Sequence, residues 1–97
     1  MNQPEPVPVT HDRQSHRFLI ELPDGTAVLE YVPGNGHIII THTFVPDSLR
    51  GGGIAGQLAK AAFEYVKSES LKIVPQCSYI QVYAARHSEL APYILQS

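Results

Sequence analysis

Between Val45 and Ile54 the hydrophobic period of the chain changes, and a glycine-loaded loop marks the change. Upstream of it, His37–Val45 is rich in β-branched residues and reads as a buried strand. Downstream, Ile54, Leu58, Ala61, Ala62, Tyr65 and Val66 recur at helical spacing, with Gln57, Lys60, Glu64 and Lys67 opposite. This pattern predicts an amphipathic helix from about Gly53 to about Ser68. A strand, a short loop and a helix leading to another strand make a crossover, which normally leaves its two strands parallel and right-handed.

The flanking segments complete the pattern. Arg17–Leu22 alternates as a strand, with Phe18 and Ile20 on one side and Leu19 on the other. Pro23-Asp24-Gly25 supplies a turn, Thr26–Val32 a second strand, and Pro33-Gly34-Asn35-Gly36 a further turn with a hairpin-forming Asn-Gly pair. After the helix, Leu71–Val74 reads as a short strand cut off by Pro75. Ser78–His87 reads as a helix with Tyr79, Val82 and Tyr83 facing inward. Pro92 interrupts the last residues, and Tyr93, Ile94 and Leu95 are candidates to pack back on the body. The expected fold is α+β in the order β-β-β-α-β-α: a mixed sheet, an antiparallel meander plus one parallel strand, with helices packed on it. Prolines at positions 4, 6 and 8 make residues 1–15 a flexible lead-in, and residues 16–97 a single domain.

Composition narrows the function classes. Ninety-seven residues suit one compact core and not two. A net charge of -2, with no basic stripe and no aromatics interleaved with arginine or lysine, gives no ground for nucleic acid or an acidic membrane as partner. No apolar run approaches the roughly 20 residues of a membrane span, and the N-terminus lacks the order of a secretion signal. Cys77 is the single cysteine, so no intramolecular disulfide forms, which fits a reducing compartment and a cytoplasmic location. The five histidines lack metal-ligand spacing, so no metal is expected. An exposed sheet edge leaves the chain a monomer or a weak homodimer.

The loop itself carries chemistry. Helix-opening N–H groups lack internal partners, and the helix dipole adds partial positive charge there. Gly51, Gly52, Gly53 and Gly56 let an anion approach the backbone, and Arg50 adds a charged fork. Such a loop suits a pyrophosphate, although glycine loops also occur as plain flexible connections. Glycines at 51, 53 and 56 match the dinucleotide spacing, but the strand-helix-strand unit with a later acidic ribose ligand is absent. The lysine-threonine or lysine-serine ending of a nucleotide P-loop is absent too.

Arg50, Gly53 and Ala55 before an amphipathic helix resemble the acetyl-coenzyme A signature of the GNAT acetyltransferase superfamily. The flanks, His42-Thr43-x-Val45-Pro46 and Cys77-x-Tyr79-Ile80, narrow the resemblance to the small single-domain proteins called YjdJ-type N-acetyltransferase domains. It spans roughly Phe18 to Tyr93. It implies acetyl-coenzyme A as cosubstrate, bound by Val45, Arg50, Gly51, Gly52, Gly53, Ile54, Ala55 and Gly56, and an amine acceptor of unstated kind. It also implies transfer assisted by Cys77, which in the family is the proposed catalytic residue. Two positions depart from the pattern. Gly52 stands where relatives commonly carry arginine or another large residue, and Phe44 where many place a glutamate.

At the start of a helix, Cys77 is either a thiolate favoured by the dipole or a small buried filler between Val74 and Tyr79. His42 is either a general base beside the loop or a core histidine bonded to backbone. Tyr79 and Tyr83 share a helical face, as pocket lining or, by the commoner pattern, as core with a hydroxyl at the edge. Lys60 lies about two helical turns past the loop, where it is either a solvated charge or within reach of an outer phosphate. Two functions follow: acetyl transfer to an amine, or a non-catalytic acetyl-coenzyme A-binding or protein-interaction module on the same fold.

Overall fold

The structure is a computed structural model and describes residues 8–49 and 51–95. Five strands form one mixed sheet in sequence order: β1 (Thr10–Asp12), β2 (Arg17–Leu22), β3 (Gly25–Pro33), β4 (His37–Phe44) and β5 (Lys72–Pro75). The first four are antiparallel neighbours, and β5 runs parallel to β4. Helix α1 (Ile54–Glu69) makes the crossover between them, and α2 (Ser78–Arg86) follows β5. The mixed sheet, the meander and the single parallel pair are those the period of the sequence predicts.

One strand was not read from the sequence. The sheet begins at Thr10, not near His16, because β1 pairs with β2 from Thr10↔Leu19 to Asp12↔Arg17. What holds it is distant in sequence. The His11 ring stacks on Phe18 at 4.1 Å, meets Tyr65 of α1 edge-on, and shares a 2.6 Å hydrogen bond with the Tyr31 hydroxyl. The prolines at positions 4 and 6 lie outside the described residues.

Among the described residues, the helices pack on one side of the sheet. Phe18, Ile20, Ala27, Leu29, Ile38 and Ile40 turn their side chains to α1 and form one buried cluster with it. On α1 the buried residues are Ile54, Leu58, Ala59, Ala62, Phe63 and Val66. The predicted stripe is therefore shifted by part of a turn: Ala59 and Phe63 join it, while Ala61 and Tyr65 sit half-buried at its flank. Helix α2 packs on the same layer, with Ile80 buried and Tyr83 stacked on Phe63 at 5.9 Å. Val82, expected inward, points out and is exposed. After α2, a short 3-10 turn (Ser88–Tyr93) buries Leu90, and Ile94 pairs beside Ile73 at the edge of β5.

A bulge in β4 decides what faces the helices. Tyr31 pairs with Ile40, but Glu30 pairs with His42, so Thr41 is an extra residue. Before the bulge Ile38 and Ile40 face α1. After it the alternation is reversed: Thr43, opposite buried Leu29, faces the helices, and His42 and Phe44 face away.

Candidate functional site

The β4–β5 pairing ends at Ile40↔Pro75, and beyond it the two chains part. The Cys77 N–H still donates to the Ile40 carbonyl at 3.0 Å, after which the chain turns into α2. The rest of β4, Thr41–Phe44, has no strand on that side among the described residues. Where the chains part, a cleft of about 300 Å³ opens, lined by Thr43, Val45, Leu49, Gly51, Gly53, Ile54, Ala55, Gly56 and Tyr79.

One wall is the start of α1. Gly51 and Gly53 have φ of 87° and 76°, the left-handed region, and Gly53 is the residue that opens the helix. A Cβ at either position would meet nothing within 4 Å, so the backbone angle, not lack of room, calls for glycine. The first intrahelical donor is Gln57, whose N–H bonds the Gly53 carbonyl at 3.1 Å. The amides of Gly53, Ile54, Ala55 and Gly56 thus precede the helical ladder, no side chain caps them, and no acidic residue stands in the first turn. Uncapped donors at the positive end of a sixteen-residue helix, with open space before them, fit a phosphate group. Gly52 has room for a side chain: a Cβ there would make only ordinary contact with the Leu49 carbonyl at 3.7 Å and with Ile54. Crowding therefore does not require a glycine at position 52.

The opposite wall is the start of α2. Cys77 is its N-cap residue, half-buried, in extended conformation, and its carbonyl accepts the Gln81 N–H at 3.1 Å. Its thiol donates to Thr43 Oγ1 at 3.4 Å. The sulfur is not in the cleft lining itself and sits behind the Thr43 hydroxyl, which is. Tyr79, the second residue of α2, brings its hydroxyl to 3.7 Å from where a Cβ on Gly56 would lie. Burial pushes the Tyr79 phenol up, opposed by the Arg86 guanidinium and aided by the nearby Cys77. It therefore remains a proton donor at neutral pH.

Of the residues singled out in the sequence, Val45, Gly51, Gly53, Ile54, Ala55 and Gly56 come together on this cleft, and Cys77 lies directly behind it. Gly52 belongs to the same loop but not to the lining, and Arg50 lies outside the described residues. His42 does not join them. The bulge at Thr41 turns its ring to the far face of the sheet, where it is exposed and stacks on Phe44 at 6.5 Å. It is thus neither in the cleft nor in the core. Lys60 is also away from the cleft, beside a second hollow of about 310 Å³ between α1 and the 3-10 turn that Tyr83 and His87 also line. Sequence reasoning missed Thr43 and Leu49, because strict alternation along β4 puts Thr43 on the wrong side. Tyr79 packs against the core and also lines the cleft. Among the described residues no group of three or more His, Cys, Asp or Glu is placed to hold a metal, and no helix is long and apolar enough to cross a membrane.

A meander that feeds a bulged strand, a parting parallel pair and a glycine-opened helix in the gap together define the GNAT class of fold. The chain belongs to the GCN5-related N-acetyl-transferase family, whose model matches residues 17–93. It is 39% identical to Protein NATD1 of Mus musculus over 97 residues, covering 97% of this chain and 87% of that one. It is 45% identical to Protein NATD1 of Danio rerio over 78 residues, covering 75% and 69% of the two chains. The solution structure of a GCN5-like protein from Staphylococcus aureus superposes with a TM-score of 0.74 at 26% identity, covering 94% of this chain and 90% of that one.

Proposed function

We propose that the protein is an N-acetyltransferase that moves the acetyl group of acetyl-coenzyme A to an amine, with Cys77 as the intermediate carrier. The observation that carries this reading is the meeting of two helix starts at one cleft: the uncapped amides of α1 on one wall, Tyr79 of α2 on the other, and the Cys77 thiol behind them, hydrogen-bonded to the lining residue Thr43. Gly51–Gly56 hold the pyrophosphate, with Arg50 as their charged partner, and the unpaired edge of β4 up to Val45 hydrogen-bonds the pantetheine amides. Fixing a thioester against a nucleophile in this way is worth about 7–11 kcal/mol in well-oriented systems.

The thiol proton of Cys77 passes to Thr43 Oγ1 and on to solvent in the cleft. The sulfur then forms a bond to the acetyl carbon as the bond to the coenzyme sulfur breaks, and Tyr79 gives its phenolic proton to that departing sulfur and regains one from solvent. The amine attacks the acetyl group on Cys77, releases the sulfur and sheds its proton to water. His42 has no part in this scheme, since its ring lies across the sheet. A thiol that must stay reduced suits the cytoplasm, where we place the reaction. A second reading, a coenzyme-binding module without catalysis, is favoured by the place of the Cys77 thiol, which is held on Thr43 and is not part of the cleft lining.

Intact-mass and peptide mass spectrometry after incubation with acetyl-coenzyme A separate the two. The expected result is an acetyl adduct on Cys77 that amines discharge, and no adduct on Cys77→Ser. Amine acetylation by Cys77→Ser at the wild-type rate removes the carrier role. Coenzyme binding with no transfer to any amine in a broad panel establishes the module instead.

A further inference from the structure

The helices leave one face of the sheet uncovered among the described residues, and its side chains are ordered in rows by the strand register. One apolar row runs Leu19, Val28, Phe44 across β2, β3 and β4, and Phe44 is 46% exposed. Beside it runs a charged row, Asp12 on β1, Arg17 on β2, Glu30 on β3 and His42 on β4, each directly opposite the next. Along this row negative and basic groups alternate. Within it, Arg17 Nε is buried with no hydrogen-bond partner. The open face thus carries alternating charge beside apolar side chains, a pattern that can complement itself.

We propose that this face docks a second copy of the same chain, sheet against sheet, about a two-fold axis parallel to the strands and lying between β2 and β3. That operation exchanges β2 with β3 and β1 with β4 while keeping each row in place. Arg17 of each copy then stands over Glu30 of the other, and Asp12 over His42, so each carboxylate of the row meets a basic side chain. In the neighbouring row Leu19 and Val28 exchange places and pack on each other. The operation pairs the outer two positions of the row with each other and the inner two with each other, and in both pairs a carboxylate meets a basic side chain. Face-to-face sheets of this kind pack about 10 Å apart with interdigitating side chains.

The size of the patch sets the strength. Four strands about 4.8 Å apart and roughly six residues long give a plane of roughly 400 Å². That is well under the roughly 800 Å² per partner of a standard interface, so the dimer is weak and forms by mass action. The cleft lies on the helix side and stays open in both states, so association does not depend on bound coenzyme.

Sedimentation velocity of the full chain, from about 10 μM to about 1 mM, tests the proposal. The wild type is expected to shift from monomer toward dimer over that range, and the shift should weaken as salt rises. Glu30 is exposed, and Glu30→Arg is expected to stay folded and to associate at least tenfold more weakly. The swapped pair Arg17→Glu/Glu30→Arg restores association, because the row is again complementary to itself. Should the swapped pair fail to fold, as judged by circular dichroism, Val28→Lys provides the second arm and is expected to be monomeric. A wild type that is monomeric throughout, including one whose open face binds another molecule instead, overturns the proposal. So does a dimer that neither Glu30→Arg nor Val28→Lys weakens.

Discussion

Ala55→Glu is expected to abolish coenzyme binding while leaving the fold as stable as before or slightly more so. Ala55 occupies the second position of α1 and lines the cleft beside the uncapped amides. A carboxylate in the first turn of a helix interacts well with the dipole, by about 0.3–1 kcal/mol at an exposed site. The same carboxylate takes the amides that the pyrophosphate needs and sets like charge against it. Two like charges about 4 Å apart repel by about 4 kcal/mol at the effective dielectric of a protein surface. Even half of that weakens binding more than about tenfold, and two diphosphate charges make a loss of about 100-fold or more the expected result by isothermal titration. Thermal unfolding of the same variant should show an unchanged or raised midpoint. The opposite signs matter, since damage to the fold would lower both quantities together.

Phe63→Ala is expected to cost about 3–5 kcal/mol of stability, measured by urea unfolding. Phe63 is fully buried on α1 and stacks on Tyr83, so it joins the two helices whose starts face the cleft. A single domain has only about 5–15 kcal/mol in total. The loss therefore leaves a protein close to its unfolding limit, with Cys77 and Tyr79 no longer held against the glycine loop. Phe63→Leu fills much of the volume and should lose far less. A cost under about 1 kcal/mol for the alanine variant would mean that α2 is not fixed through this contact.

Local chemistry made most of this architecture legible. Pro23-Asp24-Gly25 and Asn35-Gly36 mark the β2–β3 and β3–β4 hairpin turns because their residues suit tight turns, and both fall where the paired strands reverse. The helical period after the glycine loop gave α1 to within a residue at each end, Gly53–Ser68 against Ile54–Glu69. What the sequence hid depends on distant partners. Strand β1 has three residues and little strand character of its own; Phe18, Tyr31 and Tyr65 fix it through His11. The bulge at Thr41 has no local marker, since Thr-His-Thr suits a regular strand equally well. That one inserted residue exchanges the roles of His42 and Thr43. It moves the expected base out of the cleft and brings in the hydroxyl that meets Cys77.

The glycine loop was the part of the site that could be read, because left-handed backbone at Gly51 and Gly53 and an uncapped helix start have residue-level signatures. The second wall could not be read in the same way. Cys77 and Tyr79 gain their meaning only when β5 lies beside β4 and α2 turns back toward α1.

A two-dimensional amide NMR titration of the full chain with acetyl-coenzyme A tests the seat at the start of α1 most directly. Resonances of Thr43, Val45, Gly51–Gly56 and Tyr79 should move together and saturate, while those of His42 and the second hollow stay largely still. A spectrum indifferent to saturating coenzyme, or one that moves only on the far face of the sheet, would contradict it.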